Sequence, residues 1–370
     1  MTLTSGSAPH LAPLAPSELA PPDLVPAGVV PTGVVPTGDY AAGDHATGDA
    51  RHPRPADRSR AVVRQVRGAL ADAVPTTPYA RALAVVGLLL LAAGAVHTVV
   101  WLVDGTPWEG AVSWRKPILF CVSFGLFALS AAWVQGVLPR STVAGWTTTG
   151  LVGIGGLGEV GLICAQQWRG TASHFNVLTP VDATVFILMG VTIGIFGAGT
   201  LLLTAWVLRR LRHPAPTVIA VVVGLGLVLV ASALGGDLMG RGMAYVETHD
   251  AVPSAVVVGA AGSGKLAHAV ALHGLQVLGV LALLLGRSGL PARARTRAMV
   301  LAAAGYLSLT GLAIAQAYAG RAPLDVAPAT AVTIVLAVGA VVAAFGSAMR
   351  DALQGGPRAG TVAAVGAGTS

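Results

Sequence analysis

Eight apolar stretches, each of about 20 residues or more, run between residues 80 and 349, and arginines cluster at every second connection between them. A helix rises about 1.5 Å per residue, so each stretch can cross a hydrocarbon core of about 30 Å. Lipid offers no water to unpaired backbone groups, so runs this long and continuous read as helices. The expected spans are roughly 80–103, 117–138, 142–165, 181–208, 217–236, 266–286, 298–320 and 328–349. The expected fold class is an all-α integral membrane protein, a bundle of eight transmembrane helices. With 54% hydrophobic and 11% charged residues, the composition excludes an ordinary soluble domain of this length.

The arginines set the expected orientation. Arg51, Arg54, Arg58, Arg60, Arg64, Arg67 and Arg81 precede the first span, and Arg140 follows the second. Arg209, Arg210 and Arg212 follow the fourth; Arg287, Arg293, Arg295 and Arg297 follow the sixth; Arg350 and Arg358 follow the eighth. Seventeen of the 23 Lys and Arg residues thus lie on one side, with Arg115, Lys116, Arg169, Arg241, Lys265 and Arg321 on the other. The positive-inside rule places both termini in the cytoplasm of a multi-pass plasma (inner) membrane protein. The net charge of +7 would also suit a nucleic-acid binder. Its placement at span edges argues instead for no nucleic acid and for contact with the lipid bilayer, in particular the anionic cytoplasmic leaflet.

Four regions follow. Residues 1–56 form an Ala/Pro/Gly-rich cytoplasmic tail, with a five-residue Pro-x-Gly rhythm from Pro26 to Tyr40, and are expected to be disordered. The tail lacks the basic start and apolar core of a secretory signal, which leaves the first span as the insertion signal. Residues 57–78 are expected as a basic amphipathic juxtamembrane helix. Val62, Val66, Leu70 and Val74 recur every four positions, with Arg60, Arg64 and Arg67 off the stripe. Residues 79–349 are the transmembrane domain, and 350–370 a short flexible cytoplasmic tail. The longest outer loop, 237–265, carries the apolar run Ala255–Val258, which could dip back into the protein.

The chain also suggests a 4+4 parallel internal repeat. Residues 161–170 (Gly-Leu-Ile-Cys-Ala-Gln-Gln-Trp-Arg-Gly) align with 311–320 (Gly-Leu-Ala-Ile-Ala-Gln-Ala-Tyr-Ala-Gly), pairing Gln166 with Gln316. Both segments end a span at the outer face. Four spans per half restore orientation, as a parallel repeat requires. Coincidence among abundant Gly, Ala and Leu is the competing reading.

The spans are poor in polar groups, and most of those present fall at the outer ends. An ionisable residue in a span costs roughly 2.5–3.5 kcal/mol on insertion scales and usually faces protein or water. His97 and Asp104 share one face of the first helix, and Glu159 and Gln166 share one face of the third. Lys265, His268, His273 and Gln276 fall on one side of the sixth, and Asp182 opens the fourth. The expectation is one water-accessible outer cavity shared by the first, third and sixth spans. Two loops would rim it. One, 108–117, carries Arg115 and Lys116, whose partners would be Asp104, Glu109 or an anionic ligand. The other, 166–176, carries Gln166, Arg169, His174 and Asn176. The idea fails if Glu159 faces lipid or if the sixth span packs away from the third.

The chemistry stays open between three classes. The first is a transporter for an unidentified small solute, anionic or proton-linked. The second is a haem or metal redox protein using His97, His268 or His273, although five-residue spacing is poor for chelation from one helix and no Cys-x-x-Cys-His attachment motif appears. The third is an accessory membrane subunit without chemistry of its own, which ranks first if the shared cavity fails. Catalytic residues and cofactors are not assignable from the sequence. Cys121 and Cys164 lie inside apolar spans and read as packed thiols, with a disulfide left open. Gly259–Lys265 resembles a phosphate-binding loop, but Leu266 replaces the Ser or Thr that would hold magnesium, and its place at the outer surface excludes ATP.

Overall fold

The structure is a computed structural model that describes residues 55–254 and 263–354. The expectations for the tail before residue 55, for residues 255–262 of the longest loop, and for the tail beyond 354 lie outside the described residues.

The described chain is all helical: α1 Pro55–Ala73, α2 Pro78–Asp104, α3 Arg115–Gly136, α4 Thr142–Trp168, α5 Pro180–Arg210, α6 Ala215–His249, α7 Gly264–Leu272, α8 Gly274–Gly286, α9 Ala292–Tyr318 and α10 Pro328–Gln354. Helices α2 to α6, the α7–α8 pair, α9 and α10 supply eight spans, each long and apolar enough to cross a membrane. Local chemistry explains several starts. Ser141 Oγ accepts the Ala144 amide at the head of α4, and Thr179 Oγ1 accepts that of Asp182 at the head of α5. Pro78 and Pro180 occupy first-turn positions where a missing N–H is tolerated.

Neighbours in sequence pack as antiparallel pairs: α2 with α3, α4 with α5, α6 with α7 and α8, and α9 with α10. Within each half, α2 also meets α4, and α6 also meets α9. Glycines permit the closest crossings. A Cβ on Gly155 would lie 2.5 Å from the Phe196 amide nitrogen, and one on Gly305 would lie 2.6 Å from the Ala337 carbonyl oxygen. The halves join where Trp133 of α3 packs on Gly279 of α8. The largest apolar cluster, around Leu83, Phe127, Leu203, Leu225, Leu281 and Met299, lies toward the arginine-rich end.

Helix α1 docks on the second half. The Gln65 amide donates to the Leu284 and Ala348 carbonyls at 3.3 and 2.8 Å, and Asp72 pairs with Arg287 at 2.5 Å. Ala69 is buried, whereas Val66, Leu70 and Val74 remain exposed. The apolar stripe of this helix therefore points away from the bundle, and a polar and small-residue face makes the protein contact.

The sixth span breaks at His273, between α7 and α8. Side-chain donors reach the carbonyls around the break. Tyr306 Oη reaches Val270 O at 2.7 Å. The Gln276 amide nitrogen, oriented by the two carbonyls it faces, reaches Leu272 O at 3.1 Å and His273 O at 3.2 Å. Satisfied carbonyls are what make non-helical backbone tolerable at membrane depth.

Candidate functional site

The polar groups of the first half converge where α2, α3, α4 and the start of α5 meet, at the end opposite the arginine clusters. Three groupings form there. In the first, Glu159 of α4 is almost fully buried, at 3% exposure. Its Oε2 accepts the Thr192 hydroxyl of α5 at 2.8 Å, and its Oε1 lies 4.0 Å from His174 Nε2. Thr192 escaped the sequence reading because a lone Thr in an apolar span usually bonds its own helix; this one also bonds Met189 O. His174, in the loop before α5, is pushed down to about 3 by burial and by the nearby Lys116 ammonium, and is neutral at ordinary pH.

The loop is held so that His174 points inward. Phe175 adopts a left-handed backbone at φ 61°, an uncommon conformation for a bulky side chain. Its ring lodges against α6, where a Cβ on Gly242 would come within 2.2 Å of it. Asn176 closes the other side, donating to Thr171 Oγ1 at 2.9 Å and to Ala172 O at 3.2 Å.

In the second grouping, the fully buried Gln166 donates to Asp182 Oδ1 at 3.0 Å and accepts from Arg169. Arg169 also pairs with Asp182 at 3.0 Å. Asp182 accepts the Thr179 hydroxyl at 2.7 Å while its amide bonds Thr179 Oγ1, a reciprocal cap at the start of α5. The carboxylate is thereby matched by an arginine, an amide and a helix N-terminus.

The third grouping surrounds His97. Its Nδ1 meets Ala93 O at 2.8 Å, and its Nε2 accepts the Trp168 indole N–H at 3.3 Å. The ring packs beside Trp114 and Trp168, with centroids 5.8 and 6.3 Å away, and the two indoles meet edge to face at 4.9 Å. Cys121 of α3 and Cys164 of α4 are free thiols. They face His97 so that one ligand atom from each residue lies within 4.8 Å of the others. The indole of Trp114 donates to Asp104 at 2.8 Å, which ties the loop after α2 back to its helix.

Arg115 pairs with Glu109 at the rim. Lys116 lies within electrostatic reach of His174. Lys265, at the head of α7, lies within electrostatic reach of Arg115 and Glu109.

The remaining residues of the sixth span are held elsewhere. His268 bonds Ala231 O of α6 at 2.8 Å, His273 sits at the helix break, and Gln276 faces the carbonyls there. Gln316 donates to Ala322 O at 3.0 Å and to Asp325 O at 2.5 Å, tying down the loop after α9. The structure thus brings together His97, Lys116, Glu159, Gln166, Arg169, His174, Asn176 and Asp182; the sixth span packs on α6 and away from the third span, so the single outer cavity expected of the first, third and sixth spans is not formed, and His268, His273, Gln276 and Gln316 stay with the second half. Among the described residues, the grouping with metal-ligand proximity is His97 with the two cysteines, not His97 with His268 and His273. No family model, curated protein or solved structure matches this chain.

Beyond this end, Gln135 is a buried polar residue that sequence reasoning passed over. It bonds Thr149 Oγ1 at 3.2 Å, and that hydroxyl donates to Tyr79 O at 3.1 Å. A Gln within an apolar span was the available signal, the same one that singled out Gln166.

Proposed function

We propose that this polytopic membrane protein handles protons at its outer end through Glu159, His174 and Lys116, in the service of a small, proton-linked solute. The observation that carries the reading is a carboxyl group, an imidazole and an ammonium gathered inside a span bundle, with Thr192 bonded to the carboxyl. Ionisable side chains that face a bundle interior typically mark proton or ion paths. The reading rests on the first half alone, because the sixth span keeps its histidines apart from Glu159. With the three-span cavity not formed, the accessory membrane subunit without chemistry of its own ranks first among the three classes read from the sequence, and what supports proton handling against it is the buried Glu159 group alone.

Full-length protein in liposomes carrying an internal pH dye distinguishes the two. Under an imposed pH gradient, with small carboxylates supplied as probe solutes, wild type should change internal pH faster than empty liposomes, and Glu159→Gln should fall to the empty-liposome rate. Equal rates in all three leave the accessory reading.

The orientation belongs to the same proposal: both termini cytoplasmic in the plasma (inner) membrane, and the Glu159 end outside. Its support is the arginine distribution. An impermeant thiol reagent on intact cells should label a cysteine placed at Thr171 and spare one at Ser288. The reverse pattern overturns the orientation.

The proposed repeat draws support from local pegs. Gln166 and Gln316 each donate to the carbonyl six residues on, Ala172 O at 3.5 Å and Ala322 O at 3.0 Å. Gly170 and Gly320 each turn left-handed after the helix, at φ 68° and 69°. We read the two halves as duplicated frames of which one carries the chemistry.

A further inference from the structure

We propose that His97, Cys121 and Cys164 form a three-ligand site for a thiophilic divalent cation of the zinc class. The site is independent of the proton-handling reading and shares none of its side chains. Three different helices, α2, α3 and α4, each contribute one donor. The donor types are two thiols and an imidazole, a set that zinc accepts with a fourth position left to water or another ligand.

The present spacing is close to that of a bound site. Tetrahedral coordination at zinc–sulfur bonds of about 2.3 Å puts neighbouring donor atoms about 3.8 Å apart. The three atoms already lie within 4.8 Å of one another, so closing on an ion needs contraction of about 1 Å at most. His97 is oriented for the task. Ala93 O takes the Nδ1 side of the ring at 2.8 Å, so Nδ1 carries the proton and Nε2 keeps the lone pair. A backbone carbonyl holding the far nitrogen is the usual outer-shell partner of a ligating histidine.

Charge decides the class of ion. Leu90, Val160, Phe120 and Phe124 pack around Cys121 and Cys164, so a net charge there would be poorly solvated. A divalent ion with two thiolates and a neutral imidazole carries no net charge, whereas a monovalent ion would leave one negative charge. On binding, two S–H bonds break, two metal–sulfur bonds and one metal–nitrogen bond form, and two protons pass to solvent. No electron is transferred. The Trp168 indole bond to Nε2, at 3.3 Å, must open for the ion to enter. Trp168 is 62% exposed, which leaves it free to swing aside.

The test uses full-length protein in detergent, reduced with a phosphine and freed of metal, then titrated with Co2+ and with Zn2+. Wild type should bind one Co2+ with a thiolate-to-cobalt charge-transfer band and the intense visible bands of a tetrahedral ion. Zn2+ should bleach those bands and release two protons per ion. Cys121→Ser, Cys164→Ser and His97→Gln should each lose or greatly weaken the bands, and Trp168→Phe should tighten binding by removing the competing donor. Alkylation of wild type by N-ethylmaleimide adds a readout that needs no variant, because Zn2+ should slow modification of both cysteines. Absence of a charge-transfer band in the reduced wild type overturns the proposal. So does a band that survives in the Cys121→Ser/Cys164→Ser double variant, or alkylation unaffected by Zn2+.

Discussion

The two four-span halves end their third spans in a similar way and differ in what surrounds that ending. In both, a glutamine near the end of the third or seventh span pins the following loop through a carbonyl six residues away, and a left-handed glycine starts that loop. In the first half the surrounding positions carry Glu159, His174, Cys121, Cys164 and His97. In the second, Tyr318 donates to Asp237 at 2.9 Å where Trp168 donates to His97, and Asp237 is taken up by Arg241 at 2.9 Å. The second half instead breaks its second helix at His273 and receives α1. The difference teaches that one kind of loop peg serves beside a buried titratable and thiol cluster in the first half and beside a partly exposed ion pair in the second.

The most severe test of the proposed repeat is at the closest helix crossings of the two halves. Gly155→Leu and Gly305→Leu should each destabilise the protein by about 3 kcal/mol, because the added side chain meets backbone atoms that cannot move aside. Thermal unfolding in detergent should show both variants melting well below wild type. A loss confined to one of them would break the equivalence of the halves.

How much of this was legible follows from which residues carry long-range information. The spans were readable because length and hydropathy are local properties; the helices follow them, except that α6 runs on to His249 through residues expected to begin the longest outer loop. Gln166 and Gln316, aligned by sequence similarity, each bond the carbonyl six residues on, and helical phase puts Glu159 and Gln166 on a buried face. Phase gives direction around one helix and says nothing about which helix lies opposite. His268 therefore looked like a partner for Glu159, yet its partner is a carbonyl of α6. Cys121 and Cys164 read from sequence as packed thiols or a disulfide, and only the crossing of α2, α3 and α4 brings them to His97. The break at His273 had no strong marker, since one His-Gly step in an apolar run is compatible with unbroken helix.

A second comparison sets the two glutamines against each other. Gln166→Ala should cost about 2 kcal/mol, because it leaves the buried Asp182 carboxylate, and the Arg169 paired with it, without their shared amide. Gln316→Ala should cost about 1 kcal/mol, because it loses bonds to partly exposed carbonyls. Chemical unfolding of the two variants in the same detergent checks the ranking. Equal losses would show that burial of the first-half network adds nothing.

The halves should also differ in acid sensitivity. His174 has its pKa lowered from 6.5 to about 3 in the folded protein, so the unfolded chain takes up a proton first as pH falls. Stability from this group is full above pH 6.5 and declines toward pH 3, by about 2 kcal/mol at pH 5. Lys116 lies within electrostatic reach of the ring and Glu159 faces it, so Lys116→Met should flatten the decline by removing one cause of the shift. His174→Gln should abolish its share altogether. Unfolding midpoints of wild type and His174→Gln measured at pH 7.5 and pH 5 give the answer, and parallel declines in the two would sink the assignment.

The smallest effect concerns α1, which precedes the first half yet makes its ion pair with the second. Arg287 holds the Asp72 carboxyl below the usual carboxylate range, chiefly through a direct hydrogen bond. The contribution is present above the unfolded value near 3.8 and fades as pH falls through the lower folded value. Both side chains are more than 40% exposed, so solvent screening keeps the pair below about 1 kcal/mol. Asp72→Asn should therefore barely shift the midpoint of global unfolding. Gln65 makes two more buried-side bonds to the second half, so Gln65→Ala should loosen α1 more than Asp72→Asn does. Limited trypsin cleavage at Arg64 and Arg67 reads that loosening directly, because a docked helix resists cleavage until it detaches. If Asp72→Asn speeds cleavage as much as Gln65→Ala, the salt bridge holds α1 in place. The polar contact to the Leu284 and Ala348 carbonyls would then be secondary.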